Sequence, residues 1–170
     1  MSNFGILTIS DRGARGERAD ESGKSIRGML IEAGGRIARY EIVPDDVATI
    51  SAKLAEWSDS HQVDAIITTG GTGLGPRDVT PEATLKVVDR LVPGLGEAMR
   101  AGTVARTPTA VLSRAVAGTR GKCLIINLPG SPKGVRECLE IVLPVIPHAI
   151  GIINCEITEH VSGKEGHGAH

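Results

Sequence analysis

Aromatic residues are nearly missing from this sequence: Phe4, Tyr40 and Trp57 are the whole set, 2% of 170 residues. A core must then be filled by Ile, Val, Leu and Ala, and a stacking platform for single-stranded nucleic acid is excluded. A surplus of charge is lacking too. With 19 Lys and Arg against 20 Asp and Glu, the formal net charge is −1, so nothing global draws the chain to nucleic acid or to an anionic membrane. The longest apolar run, 141–153, is broken by Pro144, Pro147 and His148 and is too short to cross a bilayer. Cysteine is sparse: Cys123, Cys138 and Cys155 are odd in number and form no CxxC pair. They read as reduced, buried thiols of a cytosolic protein. No charged leader followed by an apolar stretch opens the chain, which adds to the expectation of a cytoplasmic location.

What is present is 41% hydrophobic residues and 22 glycines. That is a globular composition with many tight turns. The length suits one domain, able to bury roughly 70% of its unfolded surface. We expect the domain to span residues 1–158. The tail 159–170 is rich in Gly and His, with His160, His167 and His170, and is expected to be flexible.

Short apolar segments at 4–10, 37–43, 65–69 and 123–128 read as strands buried on both faces. Between them lie helical signals. Ser22 begins a helix that stops at Gly34-Gly35. Asp46 is placed to cap a helix carrying Val47, Ile50, Leu54 and Trp57 on one face. Thr80-Pro81 reads as cap and first residue of a helix reaching about Leu91, and a shorter helix is expected around 96–100. Residues 107–117 read as loop plus one helical stretch. Ser131-Pro132 repeats the cap signal before the stripe Val135, Cys138, Leu139 and Val142, and a last helix follows Pro144. Buried strands alternating with amphipathic helices predict an α/β fold of three layers: a mostly parallel sheet with helices on both faces. Ligands in such sheets bind beyond the carboxyl ends of the strands. The loops after Ser10, Val43, Thr69 and Leu128 are therefore the informative ones.

The strongest chemical signal is TTGGTG at 68–73. Glycines let backbone approach an anion, and successive N–H groups form an anion-binding nest. Thr69 and Thr72 add hydroxyls. A glycine turn without a ligand is the plainer alternative, and the position after a strand favours phosphate. In RDVTPE, 77–82, Asp78 precedes a helix start. It reads equally as a partner of the helix dipole or as a magnesium ligand. Asp45 supplies a second carboxylate on another strand-end loop. In NLPGSPKG, 127–134, Ser131 caps a helix whose free N–H groups suit an anion, with Lys133 beside them. Ser10 and Asp11 close the first strand and face the same crevice. SGKS at 22–25 looks like the end of a Walker A loop, but Arg18 stands where the first glycine is required. No zinc signature or Ser-His-Asp arrangement is readable.

Together with PDD at 44–46, PGLGEAMR at 93–100 and LSRAVAG at 112–118, these segments resemble the MogA/MoaB family of molybdenum cofactor biosynthesis proteins. The match runs through TTGGTGLGPRDVTPEAT at 68–84 and covers roughly residues 4–155. The resemblance implies a MgATP-dependent transfer of AMP to the terminal phosphate of molybdopterin, with pyrophosphate released. It implies a homotrimer or a hexamer, and a downstream enzyme that inserts the metal. It makes Asp45 and Asp78 the catalytic positions, Gly70, Gly71, Thr72 and Gly73 the loop for the pterin phosphate, and Ser113 and Arg114 part of a segment near the ligand pocket; Ser131 stands where some members carry Asn or Gln. The residues themselves add Asp45 and Asp78 as Mg²⁺ ligands, and Ser10, Asp11, Thr69, Pro81, Glu82, Pro129, Gly130, Ser131 and Lys133 as further substrate-binding candidates. A member that binds molybdopterin without adenylylating it, a nucleotide hydrolase and a trimeric scaffold are the competing readings. Retention of both Asp45 and Asp78 favours the enzyme.

Overall fold

The computed structural model describes residues 1–156; the expected tail lies outside them. Six strands form one sheet: β1 (Asn3–Ile9), β2 (Arg36–Val43), β3 (Ala65–Thr69), β4 (Arg90–Leu91), β5 (Ala117–Arg120) and β6 (Cys123–Leu128). Their spatial order is β2-β1-β3-β6-β5-β4. β2, β1, β3 and β6 run parallel, while β5 runs against both its neighbours. The fold class read from the sequence therefore holds. The chain leaves β1 for one edge and later crosses to the other side of β1, so the loops after β1 and β3 diverge. Such a switch point is where open α/β sheets bind ligands.

The helices are α1 (Asp11–Ala14), α2 (Glu21–Glu32), α3 (Val47–Asp59), α4 (Thr80–Leu85), α5 (Pro93–Thr103), α6 (Pro132–Val142) and α7 (Ile146–Ile153). Side chains alternate across the central strands. Phe4, Ile6, Ile67, Leu124, Ile126 and Leu128 pack with Ile26, Leu30, Met99, Leu139 and Ile146, which covers one face with α2, α5, α6 and α7. Leu7, Ile9, Ile66, Cys123 and Ile125 pack with Ile50, Leu54, Trp57 and Ala83, which places α3 and α4 on the other. The aliphatic core demanded by the scarcity of aromatics is thus divided by the sheet. Phe4 and Trp57 fall on opposite sides of it.

Several local expectations are corrected. The first loop contains a helical turn, α1, which Ser10 caps by accepting the Gly13 N–H. Helix α4 ends at Leu85 instead of near Leu91, because the Asp89 N–H bonds to the Thr119 carbonyl and residues 90–91 join the sheet. Thr80 is not its cap. Val79 holds that position, and the Thr80 hydroxyl donates to the Gly70 carbonyl at 2.8 Å. Helix α5 is longer than expected and starts at Pro93 itself, a residue whose missing N–H costs nothing in a first turn. Residues 107–117 hold a 3₁₀ turn at Pro108–Leu112 and then lead into β5. Cys123 and Cys138 are buried as expected, but Cys155 is exposed.

Candidate functional site

Two clefts open beyond the carboxyl ends of β1, β3 and β6. The larger has a volume of about 600 Å³ and is walled by the turn after β3, by α5 and by the start of α6. The smaller, about 360 Å³, lies between the ends of β1 and β3 and the start of α2. Gly130 and Ser131 line both. The partition is thin because two glycines meet there: a Cβ on Gly130 would stand 3.4 Å from the Gly70 Cα.

The turn after β3 has the backbone that its glycines predict. Gly70 has φ +98° and Gly71 φ +68°, in the region that side-chain-bearing residues avoid. A Cβ on Gly70 would fall 2.3 Å from the Ile9 carbonyl oxygen. The turn is pinned at both ends. The Gly70 N–H donates to Leu128 O at 3.2 Å, and the Thr80 N–H donates to Gly71 O at 3.1 Å. The Thr69 hydroxyl donates to the Pro129 carbonyl at 2.6 Å, tying this turn to the one after β6. There Ser131 caps α6 by accepting the Gly134 N–H at 3.1 Å. Behind both turns, buried Asn127 donates to the Thr68 and Thr84 hydroxyls at 3.0 Å each.

Acidic groups flank the glycine turn. Asp78 Oδ2 accepts the Gly75 N–H at 2.8 Å and lies 2.8 Å from where a Cβ on Gly73 would be. Asp45 Oδ1 lies 3.4 Å from the corresponding point on Gly71. Asp45 and Asp11 are joined reciprocally. The Asp11 N–H donates to Asp45 Oδ2 at 2.8 Å, and the Asp45 N–H donates to Asp11 Oδ1 at 3.0 Å. Arg77 forks onto both oxygens of Asp11, at 3.0 Å each. Those bonds hold the Asp11 carboxyl below the ordinary carboxylate range. Burial pushes Asp45 above it; the charges of Asp11 and Asp78 act in the same direction, against the Asp11 N–H and Arg77. Asp46 turns aside to cap α3, accepting the Thr49 N–H at 2.8 Å.

The residues singled out from the sequence fall into three places. Gly71, Thr72, Gly73, Asp78, Ser113, Pro129 and Lys133 line the larger cleft, together with the shared Gly130 and Ser131. Ser10, Thr69 and Gly70 line the smaller. Asp11, Asp45, Pro81, Glu82 and Arg114 line neither. The Arg114 guanidinium is taken up by Gly73, Asp78 and Glu82. Sequence reasoning missed the wall contributed by α5 and the turn after it, including Met99, Arg100, Thr107 and Leu112. Arg100 there donates to the carbonyls of Ser113 and Ala115 at 3.2 and 3.0 Å. The signal available was the pair of segments PGLGEAMR at 93–100 and LSRAVAG at 112–118, which carried the resemblance without a wall being assigned to them.

Among the described residues, no three His, Cys, Asp or Glu side chains gather closely enough to hold a metal ion unaided. Mg²⁺ typically takes one or two carboxylates and completes its shell with water and substrate phosphate. Asp45 and Asp78, beside Gly71 and Gly73 of the same turn, are carboxylates of the kind such a shell uses.

Comparison with known proteins gives concordant matches. The sequence pattern of the family described as "Probable molybdopterin binding domain" matches residues 5–148. A molybdopterin adenylyltransferase of Helicobacter pylori strain J99 is 48% identical over 153 residues, 89% of this chain and 87% of that protein. The molybdopterin adenylyltransferase of Escherichia coli K12 is 43% identical over 139 residues, 81% of this chain and 71% of its own. Among solved structures, the molybdopterin biosynthesis enzyme MoaB of Thermus thermophilus superposes with a TM-score of 0.86 at 54% identity, over 91% of this chain and 98% of that one.

Proposed function

This chain belongs to the molybdopterin-binding family whose pattern it carries over residues 5–148, and on that premise we propose that it is a molybdopterin adenylyltransferase acting in molybdenum cofactor biosynthesis. The observation that carries the reading is one glycine turn flanked by two carboxylates: Asp78, which lines the cleft of about 600 Å³ beside Gly73, and Asp45, which stands outside that cleft against Gly71. ATP is the AMP donor in this reading. The location is cytoplasmic, the assembly a homotrimer, and an enzyme further along the pathway inserts the metal.

The chemistry follows from bringing two anions together. An oxygen of the pterin's terminal phosphate bonds to the α-phosphorus of ATP, the bond from that phosphorus to the bridging oxygen breaks, and pyrophosphate leaves. A phosphate nucleophile is already ionised, so no side chain has to remove a proton. Positioning and charge stabilisation are what the protein must supply. The backbone N–H groups of Gly71–Gly73 and of the first turn of α6 hold the acceptor phosphate. Lys133 lines the same cleft, and its largely exposed side chain, paired only loosely with Glu137 at 3.8 Å, offers a cation to an anion bound there. Asp45 and Asp78 would hold Mg²⁺, which when bound offsets the charge of the phosphates and of the leaving pyrophosphate. Burial already raises the proton affinity of Asp45, and a cation beside it would relieve that cost.

Replacing Asp78 by Asn tests the assignment. Release of pyrophosphate from ATP, Mg²⁺ and molybdopterin should fall far below the parent rate to a small, still measurable residue, while molybdopterin binding by calorimetry stays within a few fold of the parent. Unchanged turnover in this variant would refute the role of Asp78. Absence of pyrophosphate release by the parent protein would refute the enzymatic reading itself.

A further inference from the structure

The turn at residues 75–78 carries Asp78, yet the bonds of Asp78's own N–H and carboxylate stay inside it. Its N–H donates to Gly75 O at 3.0 Å, and its carboxylate accepts the Gly75 N–H. Two arginine forks cross from it to the rest of the protein. On one side Arg77 reaches Asp11, and through it Asp45. On the other, Arg114 arrives from the segment before β5. Its own N–H donates to Thr72 O at 2.9 Å, and its Nε donates to Gly73 O at 2.8 Å. Its Nη2 donates to Asp78 O at 2.7 Å, and Nη1 pairs with Glu82 on α4. One side chain thus ties the entering limb of the glycine turn to its exit limb and to the helix beyond. Arg114 lines neither cleft, and every N–H-bearing nitrogen of its guanidinium has a protein partner.

We propose that Arg114 is a positioning residue, not a substrate ligand: it fixes the Asp78 carboxylate relative to the Gly71–Gly73 backbone and hence relative to Asp45. The proposal rests on the adenylyltransferase reading. A planar fork with donors on three nitrogens can span two backbone carbonyls and a carboxylate at once. Lysine has one nitrogen and cannot. Without Arg114 the turn keeps its internal bonds and α4 keeps its N-terminal contacts through Thr80. The fold survives, and Asp78 wanders. Losing an outer support of this kind costs roughly 10- to 100-fold in turnover or metal affinity.

The test measures pyrophosphate release for Arg114→Ala, Arg114→Lys, Asp78→Asn and the double variant Arg114→Ala/Asp78→Asn, alongside the parent. Turnover should fall roughly 10- to 100-fold in both Arg114 variants, with the KM for molybdopterin little changed and the Mg²⁺ needed for half-activation raised. Guanidinium ion should restore part of the activity of Arg114→Ala in a saturable way. The double variant should be no slower than Asp78→Asn alone, because a support has nothing left to position. Losses that multiply in the double variant would overturn the proposal. So would a rise in KM for molybdopterin at unchanged turnover, the signature of a direct ligand. If Arg114→Ala fails to fold, Arg114→Lys carries the same comparison. An inactive parent would sink the adenylyltransferase reading; an active parent with full activity in both Arg114 variants would sink only the positioning role.

Discussion

Gly70 offers the sharpest way to ask whether the backbone of the glycine turn, and not merely its composition, matters. Alanine there faces two separate costs. At φ +98° a side chain is strained, by about 1–2 kcal/mol. The new Cβ would also lie 2.3 Å from the Ile9 carbonyl oxygen, about 1 Å inside the 3.4 Å at which ordinary contact begins. That partner is backbone at the end of a central strand and cannot rotate away. Forcing such a contact costs about 1–3 kcal/mol more. The sum is about 2–5 kcal/mol, which for a domain of this size lowers the melting temperature by about 4–20 °C. The displacement also reaches the chemistry. Ser10 and Asp11 follow Ile9 directly, and the Asp11 N–H is bonded to Asp45, so prising Ile9 from Gly70 moves Asp45 away from the turn. Gly16→Ala is the control. Gly16 has φ +72° but nothing within 4 Å of its Cβ position, so it carries the strain without the collision. Calorimetric melting and pyrophosphate release should show Gly70→Ala clearly less stable than Gly16→Ala and nearly inactive, with Gly16→Ala close to full turnover. Equal melting temperatures for the two, with turnover retained in both, would refute the close-approach reasoning.

Two further predictions concern titratable groups that the proposed chemistry does not use. Burial pushes the Cys123 and Cys138 thiols up to about 11, whereas Cys155 is exposed. A thiol reagent at pH 8 should therefore modify Cys155 rapidly and the other two only on unfolding; fast loss of more than one thiol from the native protein would contradict the burial. Arg120 forks onto Asp59 at 3.0 and 2.8 Å and holds its carboxyl below the ordinary range. A lowered folded pKa contributes stability that is in place above the unfolded value of about 4 and is lost as pH falls through the folded one. Asp59→Asn should accordingly flatten the decline of melting temperature between about pH 5 and 2, and an unaltered acid limb would show that the pair contributes nothing.

Strands β1, β3 and β6 were legible because each is a largely Ile, Leu and Thr run buried on both faces, with few ways to be anything else. The segment 37–43 also forms a strand, β2, but at one edge and with most of its residues exposed or half-buried, so the expectation of burial on both faces fails there. The opposite edge was not legible. β5 reads Ala-Gly-Thr-Arg and β4 is two residues long, so neither carries a periodic signal. Their identity comes from pairing across the sheet. The same contrast divides the candidate site. Glycines and caps announce themselves locally, which is why the turns at 70–73 and 130–134 could be placed from the sequence. The Arg77–Asp11 and Arg114–Glu82 pairs span 66 and 32 positions of chain, and no local pattern encodes that reach. Asp45 and Asp46 show the boundary between the two cases. A capping rule assigns Asp46 its work, which leaves Asp45 available to the turn by elimination, yet only the fold reveals that Gly71 is its neighbour.

The reversed direction of β5 has a consequence for how crowded the ligand-facing rim can be. In a purely parallel sheet each strand delivers to that rim only the residues that follow it, and the residues that precede it emerge at the far end. Because β5 pairs Ala117 with Ile126 and Arg120 with Cys123, its beginning, not its end, sits at the rim. Ser113 and Arg114, which precede it, are thereby carried to the same place as the segments that follow β1, β3 and β6. A single inverted strand gives the rim one more converging stretch of chain, and evolution could redraw that stretch without disturbing any of the parallel crossovers that build the core.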